Sequence, residues 1–352
     1  MSDPKISPPP FFIVGCVRSG TTLLQTLMDA HPEIAIPTES HLFTRFSGVF
    51  GRYGDLRHRA NLELLVQDLL DDERIKRWKL QTSVSEFCRE LSAPTLRDVI
   101  AHLFSLYARQ QGKFRWGDKT PQHALCLREI HGLFPEAQFI HLVRDGRDVA
   151  ESLTRVIIGK KSVLANARRW REAVSACDDF KRTVPSDQFL ELRYEALVAR
   201  PEEEIARVFA FLGVAPARVA QDRRLPETRL KDTYVKTLGS HHQGLLNPIT
   251  ESKIGVFKAC FSRRELAIFE SVAGDVLARH GYRRMTEGAA DPVRWHEHLR
   301  FIALDYGARY LRKAFNPAGY ADTARQVRET WQRTIRKLLR SLRPATNTGA
   351  QT

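Results

Sequence analysis

The sequence has few cysteines and no long apolar run. Its 352 residues include five cysteines, an odd number at wide spacing, and no two of them form a C-x-x-C pair. This pattern argues against a disulfide framework and a structural zinc site, and it favours a reducing compartment. No window approaches about 18 uninterrupted apolar residues, and the first ten residues lack the apolar segment of a signal peptide. We therefore expect neither a membrane span nor secretion by signal peptide, and we predict a cytoplasmic protein.

Positive charge, by contrast, is in excess. Lys and Arg number 55 against 41 Asp and Glu, which gives a formal net charge of +14. An excess of this kind favours an anionic partner, which can be a nucleotide, a polyanion or a membrane surface. With 43% hydrophobic and 27% charged residues, the composition is that of a chain that can bury a full core, not of a disordered polymer.

Short apolar runs alternate with helical patterns along the chain. This alternation predicts a parallel sheet with helices on both faces. Residues 61–110, between the second and third strands, have charged and apolar residues at helical spacing and are predicted to form a helical insertion that acts as a lid or wall. The five predicted strands lie at residues 11–14, 34–36, 114–116, 139–143 and 189–192.

The chain divides into four predicted segments. These are a flexible N-terminus at residues 1–10, an α/β domain at 11–284, a basic helical extension at 285–343 and a disordered tail at 344–352. Residues 294–343 hold twelve Lys and Arg against four Asp and Glu, a net charge of +8. Their apolar residues recur near helical spacing, so we predict two amphipathic helices that either pack on the domain or lie, peripherally, on an anionic membrane surface. No nucleic-acid-binding motif is visible, so nucleic acid is not an expected partner.

A glycine-rich loop follows the first predicted strand. Residues 15–22 read GCVRSGTT and precede a predicted helix, a place where backbone N–H groups and the helix dipole bind anions. The glycine spacing equals that of the P-loop of nucleoside triphosphate enzymes, but Thr21 stands where those enzymes have the lysine that reaches the β- and γ-phosphates. A triphosphate is therefore disfavoured, and Arg18 would place a fixed cation beside the terminal group of a shorter nucleotide. A P-loop kinase or nucleotide hydrolase stays open as an alternative, and so does a basic anion- or nucleic-acid-binding protein without enzymatic activity.

Several motifs along the chain occur together in one family of enzymes. The loop motif R/K-S-G-T-T is present as Arg18, Ser19, Gly20, Thr21 and Thr22. A second motif, a strand followed by Arg and then Ser eight residues later, is present as Arg144 and Ser152. Further matches are GDKTP at residues 117–121, RYE at 193–195 and GVFK at 255–258. In this order the motifs resemble those of the sulfotransferases that use 3′-phosphoadenosine 5′-phosphosulfate (PAPS), and residues 11–284 are accordingly identified as a sulfotransferase domain.

Two more segments resemble a particular branch of that family. DAHP at residues 29–32 and PTE at 37–39 match the segment that carries the catalytic glutamate of the protein-tyrosine sulfotransferases and their bacterial relatives. The resemblance implies that Glu39 is the general base that takes the proton of the acceptor hydroxyl. His41 is the alternative base. Ser240 aligns with a serine near the reaction centre of this branch when a gap of one residue is allowed.

The resemblance also implies a donor, a reaction and a fold. The donor is PAPS, whose sulfuryl group moves to an acceptor hydroxyl, an amine being less favoured. Fixed cations and loop amides can neutralise the charge on the leaving adenosine bisphosphate, so no metal is expected, and Arg18 and Lys119 are the candidate cations. The acceptor class is open among peptide tyrosine, glycan, lipid and small metabolite. The expected fold is α/β, with a P-loop-type parallel sheet flanked by helices, a helical insertion and the basic extension.

The nucleotide contacts implied by the resemblance come from five separate segments. Tyr194 has an alternative role, in which it packs under the sheet and does not border the nucleotide. Lys258 or Lys253 replaces the positive charge that the family commonly has at the position of Val256. The residues implied to bind the donor are Arg18, Ser19, Gly20, Thr21, Thr22, Arg144, Ser152, Tyr194 and Lys258.

Overall fold

A parallel sheet forms the centre of the molecule. The computed structural model describes residues 8–155, 162–215 and 249–286, together with residues 293, 294, 297, 301 and 304. The strands of this part are β1 Phe11–Val14, β2 Ile34–Ala35, β3 Arg115–Lys119, β4 Gln138–Val143 and β5 Phe189–Arg193. They lie in the order β2-β3-β1-β4-β5, and every neighbouring pair is parallel.

Each predicted strand is present, but the third lies further along the chain than expected. The prediction began it at Phe114, which is 56% exposed, whereas β3 continues through Asp118 and Lys119, both fully or almost fully buried. Polar residues of this kind argue against a buried strand unless they have partners. Here Asp118 accepts a hydrogen bond from Ser40, and Lys119 donates one to Glu39.

Helices occupy the connections between the strands. The predicted insertion at residues 61–110 is helical, as expected. Its helices are Arg59–Leu70, Glu73–Lys76, Val84–Arg89 and Leu96–Gln110. Short 3₁₀ segments occupy Ser47–Tyr53, Pro121–Leu125, Ser186–Gln188 and Glu251–Lys253. The α-helices of the described residues are α1 Thr21–Asp29, α2 Leu42–Phe46, α3 Arg59–Leu70, α4 Glu73–Lys76, α5 Val84–Arg89, α6 Leu96–Gln110, α7 Leu127–Leu133, α8 Gly146–Arg155, α9 Val163–Lys181, α10 Tyr194–Ala199, α11 Pro201–Leu212, α12 Phe257–Cys260 and α13 Arg263–Arg279.

Both faces of the sheet are covered, which confirms the predicted layering. Successive side chains of a strand point to opposite faces, and the run FFIV of β1 is apolar on both. Phe11 and Ile13 belong to a hydrophobic cluster with α1, α10 and α11. Phe12 and Val14 belong to a second cluster, which we call the α9 cluster, with α3, α6, α9 and α13. The continuous apolar run therefore reflects burial on two sides.

The beginning of the predicted C-terminal extension contacts the domain. Val293 and Phe301 pack against the α9 cluster, and Arg264 on α13 donates two hydrogen bonds of 2.6 Å to the carboxylate of Glu297. These contacts agree with the packing alternative for the first part of the extension. The second basic helix and the tail lie outside the described residues, so the proposed segment boundaries and the membrane alternative stay predictions.

Among the helices of residues 8–155, 162–215 and 249–286, none combines the length and the apolar character that a membrane span requires.

Candidate active site

Predicted site residues gather at one edge of the sheet. The loop of residues 15–20 follows β1, Glu39 follows β2, and Lys119 is the last residue of β3. Arg144 follows β4, and Tyr194 follows β5. In open parallel sheets, ligands bind at the carboxyl ends of the strands, and all five segments meet there.

The loop after β1 contains two residues in the left-handed backbone region. Arg18 and Gly20 both have positive φ angles, of 73° and 96°. Gly20 is the N-cap of α1, and a Cβ atom at this position would lie 2.4 Å from the ring of Tyr194. Only glycine fits such a site. The hydroxyl of Ser19 is buried and has no hydrogen-bond partner among the described residues.

We expect Gly20→Ala to damage both the fold and the loop. The left-handed backbone alone costs a non-glycine residue about 1–2 kcal/mol, and the contact with Tyr194 adds to that cost. Thermal unfolding should show lower stability, and calorimetry should show weakened binding of adenosine 3′,5′-bisphosphate. Gly48→Ala is the matched control, because a Cβ at Gly48 meets no atom within 4 Å. Wild-type nucleotide affinity in Gly20→Ala would contradict the assigned role of the loop.

The structure brings Arg18, Arg144, Ser152 and Tyr194 together. Arg18 Nε donates to Ser152 Oγ at 3.1 Å, and Arg144 Nη1 donates to the carbonyl oxygen of Arg18 at 3.0 Å. The Arg144 guanidinium lies over the Tyr194 ring, 4.5 Å from its centroid. Burial and the nearby charge of Arg144 lower the pKa of Arg18, and Glu39 opposes them. Two cations are therefore held close together, an arrangement that an anion would stabilise.

Tyr194 packs beneath the loop, and its contact with the nucleotide stays a prediction. Its ring is buried, and it packs under Gly20 and against Arg144. Burial raises the pKa of the Tyr194 hydroxyl, with the charge of Arg144 opposing it. The ring thus supports the loop directly, and it contacts Arg144, which is also predicted to bind the nucleotide.

Glu39, Lys119 and His41 form a second group beside the loop. Lys119 Nζ donates to Glu39 Oε1 at 2.6 Å and to Thr22 Oγ1 at 3.3 Å. The other oxygen of Glu39 lies 3.1 Å from His41 Nε2. Burial would raise the pKa of Glu39, but the charge of Lys119 and the hydrogen bonds from His41 and Lys119 hold it far below its ordinary value. Glu39 is therefore an ionised carboxylate, and Lys119 connects it to the loop.

Among the contacts of the described residues, none joins Lys258 to the other residues predicted to bind the nucleotide. It is exposed on α12, and its side chain folds back over Gly255. Lys253 reaches the site through its carbonyl oxygen, which accepts a hydrogen bond of 2.6 Å from Arg144 Nη2. That Lys258 or Lys253 replaces the positive charge absent at Val256 stays a prediction. Ser240 lies outside the described residues.

Two contacts from the helical insertion were not anticipated from the sequence. Trp78 Nε1 donates to the carbonyl oxygen of Thr38 at 2.9 Å, immediately before Glu39. Asp72, the N-cap of α4, forms an ion pair with Arg45 on α2. Together they attach the insertion to both sides of the segment that carries Glu39 and His41, and its role as a lid or wall stays a prediction. A lone tryptophan in a helical pattern does not reveal such a contact.

Within the part of the chain that the structure describes, one group of side chains has the composition of a metal site. Asp178, Glu191 and His280 can place three ligand atoms within 4.8 Å of one another. In the structure they contact one another and His141, with His280 Nε2 3.0 Å from Asp178 Oδ1 and His141 Nδ1 3.1 Å from Glu191 Oε2. These pairs join α9, β4, β5 and the end of α13. The expectation that no metal takes part in the reaction stays a prediction.

The chain belongs to the sulfotransferase family, because the model of that family matches residues 9–217, more than half of the sequence. The family membership predicted from the loop and the accompanying motifs is thus confirmed. The kinase, hydrolase and non-enzymatic alternatives have no comparable support.

Similar proteins come from bacteria and animals. The nodulation protein NoeE of Sinorhizobium fredii is 31% identical over 61% of this chain and 52% of its own length. A protein-tyrosine sulfotransferase of Drosophila melanogaster is 25% identical over 58% of this chain and 38% of its own. The omega-hydroxy-beta-dihydromenaquinone-9 sulfotransferase Stf3 of Mycobacterium tuberculosis is 25% identical over 81% of this chain and 78% of its own length. The chain thus spans about half the length of NoeE and less of the fly enzyme.

Among solved structures, the sulfotransferase domain from the curacin biosynthetic pathway has the same fold. The TM-score is 0.56 at 18% sequence identity, and the similarity covers 78% of this chain and 98% of that domain. The predicted P-loop-type sheet flanked by helices is thereby confirmed.

Proposed function

We propose that the protein transfers the sulfuryl group of PAPS to a hydroxyl group of its acceptor. The observation that carries the proposal is the position of Lys119, whose ammonium group is almost fully buried between Thr22, in the first turn of α1 after the loop, and the carboxylate of Glu39. A buried cation between an anion-binding loop and an ionised base suits a reaction in which a leaving phosphate and a proton acceptor lie close together.

The donor side of the site supports a nucleotide with two phosphate groups. Ser19 Oγ and Arg144 Nε are buried polar atoms with no hydrogen-bond partner among the described residues, so each is able to form a hydrogen bond with a bound anion. They belong to two neighbouring groups, the loop and the cluster of Arg18, Arg144 and Ser152. We assign the loop to the 5′-phosphosulfate and Arg144 with Ser152 to the 3′-phosphate.

The proposed reaction is a displacement at sulfur. The acceptor oxygen forms a bond to sulfur, and the bond between sulfur and the bridging oxygen breaks. The electron pair of that bond stays on the leaving adenosine 3′,5′-bisphosphate, where Lys119 and Arg18 stabilise the negative charge. Glu39 accepts the proton of the acceptor hydroxyl.

A hydroxyl acceptor is supported by the relatives. The name of the fly enzyme specifies a tyrosine, and that of Stf3 specifies an omega-hydroxy compound. Each of these two named compounds carries a hydroxyl group. Incubation with a ³⁵S-labelled donor and lysate of the source organism, followed by separation into protein, glycan, lipid and small metabolites, identifies the acceptor class. Absence of label in all fractions, with intact donor, would contradict the proposed function.

We expect Arg144→Ala to remove the preference for a 3′-phosphate. Hydrogen bonds to charged groups contribute about 1.5–3 kcal/mol, so the affinity for adenosine 3′,5′-bisphosphate should fall about 10- to 150-fold. The affinity for adenosine 5′-phosphate, which lacks the group, should change much less. Calorimetry without added metal measures both. Arg144 also binds the carbonyl oxygen of Arg18, so an equal loss for both nucleotides would assign it to loop support instead.

A further inference from the structure

Three consecutive backbone N–H groups beside Glu39 are satisfied by side chains. They lie at the beginning of α2, where the first N–H groups of a helix lack partners within the helix. The N–H of His41 donates to Thr120 Oγ1 at 3.3 Å, that of Leu42 to Ser40 Oγ at 3.1 Å, and that of Phe43 to His123 Nε2 at 3.3 Å.

All three acceptors converge on one carboxylate, that of Asp118. Ser40 Oγ donates to Asp118 Oδ2 at 2.6 Å, and Thr120 Oγ1 donates to Oδ1 at 3.0 Å. His123 Nδ1 lies 3.2 Å from Oδ2, in contact though not aligned as a hydrogen bond. Asp118 is completely buried. It is the neighbour of Lys119 in β3, so the same strand end supplies the buried cation and this buried anion.

The charge of Asp118 determines the direction of every hydrogen bond in the group. An ionised carboxylate only accepts, so the hydroxyls of Ser40 and Thr120 must donate to it, and their lone pairs face the amides. His123 accepts from an amide at Nε2, so its proton lies on Nδ1, next to Asp118. Burial would raise the pKa of Asp118, but the nearby His123 and the hydrogen bonds from Ser40 and Thr120 lower it below its ordinary value.

The oriented amides belong to a strained turn. His41 has a φ angle of 52°, in the left-handed region that non-glycine residues seldom adopt. Such a conformation persists only where the surroundings enforce it. Here the turn separates Glu39, which contacts Lys119, from α2, and the His41 side chain returns to contact Glu39.

We propose that Asp118 is a positioning residue of the reaction, which acts through Ser40, Thr120 and His123 to hold the turn at His41 and thereby the carboxylate of Glu39. The inference rests on the proposed function, in which Glu39 accepts the proton of the acceptor. It assigns a role to a residue that does not itself contact the reacting groups.

Asp118→Asn tests the inference, because asparagine keeps the shape but has one acceptor oxygen and donates from its amide. At least one of the three side chains must then reverse its hydrogen bond. We expect kcat to fall about 10- to 100-fold, the range for a displaced catalytic group, with unchanged affinity for adenosine 3′,5′-bisphosphate. Hydrogen exchange at the amides of residues 41–43 should become faster.

A double mutant separates positioning from general stabilisation. If Asp118 acts through Glu39, then Asp118→Asn should cause no further loss of kcat in a Glu39→Gln background. Additive losses would overturn the inference. Glu270→Gln is the matched control: Glu270 is a buried carboxylate that accepts hydrogen bonds from Arg147, Met285 and Thr286, away from the turn. It should lower stability without changing kcat or the exchange at residues 41–43.

Two measurements decide the inference without turnover. The ¹⁵N shifts of His123 in the wild type should be those of a neutral ring protonated at Nδ1, and a charged ring or the other tautomer would overturn the arrangement.

If Asp118→Asn does not fold, Thr120→Val removes one member of the group alone and should speed hydrogen exchange at the amide of His41 while sparing that of Phe43. Unchanged exchange at His41 would refute the role of the group even if sulfuryl transfer is confirmed. Absence of sulfuryl transfer in the wild type, with the predicted exchange pattern, would refute the proposed function alone.

Discussion

Replacement of Glu39 by Gln is expected to lower turnover by about 10²–10⁴-fold while the protein folds and binds the donor nucleotide. This is the typical contribution of a general base. Gln retains an oxygen that can accept from Lys119 Nζ, but it cannot take a proton from the acceptor. Steady-state turnover with a ³⁵S-labelled donor measures the loss, and calorimetry with adenosine 3′,5′-bisphosphate measures donor-site binding.

The acidity of the acceptor shows whether the lost function is proton removal. With a series of phenols, the difference between the wild type and Glu39→Gln should shrink as the phenol becomes acidic enough to ionise by itself. The matched variant His41→Gln should retain most of the activity. Near-normal turnover of Glu39→Gln, together with a large loss in His41→Gln, would move the role of base to His41, the alternative identified from the sequence.

The pH dependence follows from the direction of the pKa shift of Glu39. Its pKa in the folded protein is held far below the ordinary value of about 4.3, so the carboxylate is ionised from pH 6 to pH 8, and the loss in Glu39→Gln should be the same at both. A lowered folded-state pKa contributes stability that is present above the unfolded-state pKa and is lost as the pH falls. The stability difference between the wild type and Glu39→Gln should therefore be complete at neutral pH and shrink below about pH 4.

The parts of the site that could be predicted from the sequence have local signals. An apolar run, two glycines at P-loop spacing and a helix start are adjacent in the chain, so the loop around Arg18 could be located with its strand and helix. The same holds for Arg144, which directly follows an apolar strand, and for Ser152 on the next helix. Resemblance to a known family then supplied roles for them.

The parts that could not be predicted depend on partners far away in the chain. The end of β3 was missed because Asp118 and Lys119 can lie in a buried strand only when Ser40 and Glu39 form hydrogen bonds with them. No neighbouring residue in the sequence indicates these hydrogen bonds. The same is true of Trp78, which reaches the carbonyl of Thr38 across 40 residues. Burial of polar groups is a property of the assembled site, so composition and periodicity do not contain it.

Removal of the Lys119 ammonium group should have a different kinetic signature from the loss of Glu39. In Lys119→Met the apolar stem is kept, so the almost fully buried position is filled and only the charge is lost. We expect kcat to fall about 10²–10³-fold, as for the loss of one group that stabilises charge in a transition state. The side chain of Glu39 is 31% exposed, so water can solvate its carboxylate once the lysine is gone.

The decisive comparison again uses acceptor acidity. If Lys119 stabilises the leaving phosphate, the loss in Lys119→Met should persist with phenols that are already ionised, because the charge on the leaving group develops whichever acceptor attacks. Lys113→Met is the matched control: Lys113 is a buried lysine that pairs with Asp29 at 3.1 Å, just before β3 begins, and its loss should lower stability without lowering kcat. Full recovery of Lys119→Met with an ionised phenol would mean that Lys119 serves proton removal through Glu39, and the assignment to the leaving group would be wrong.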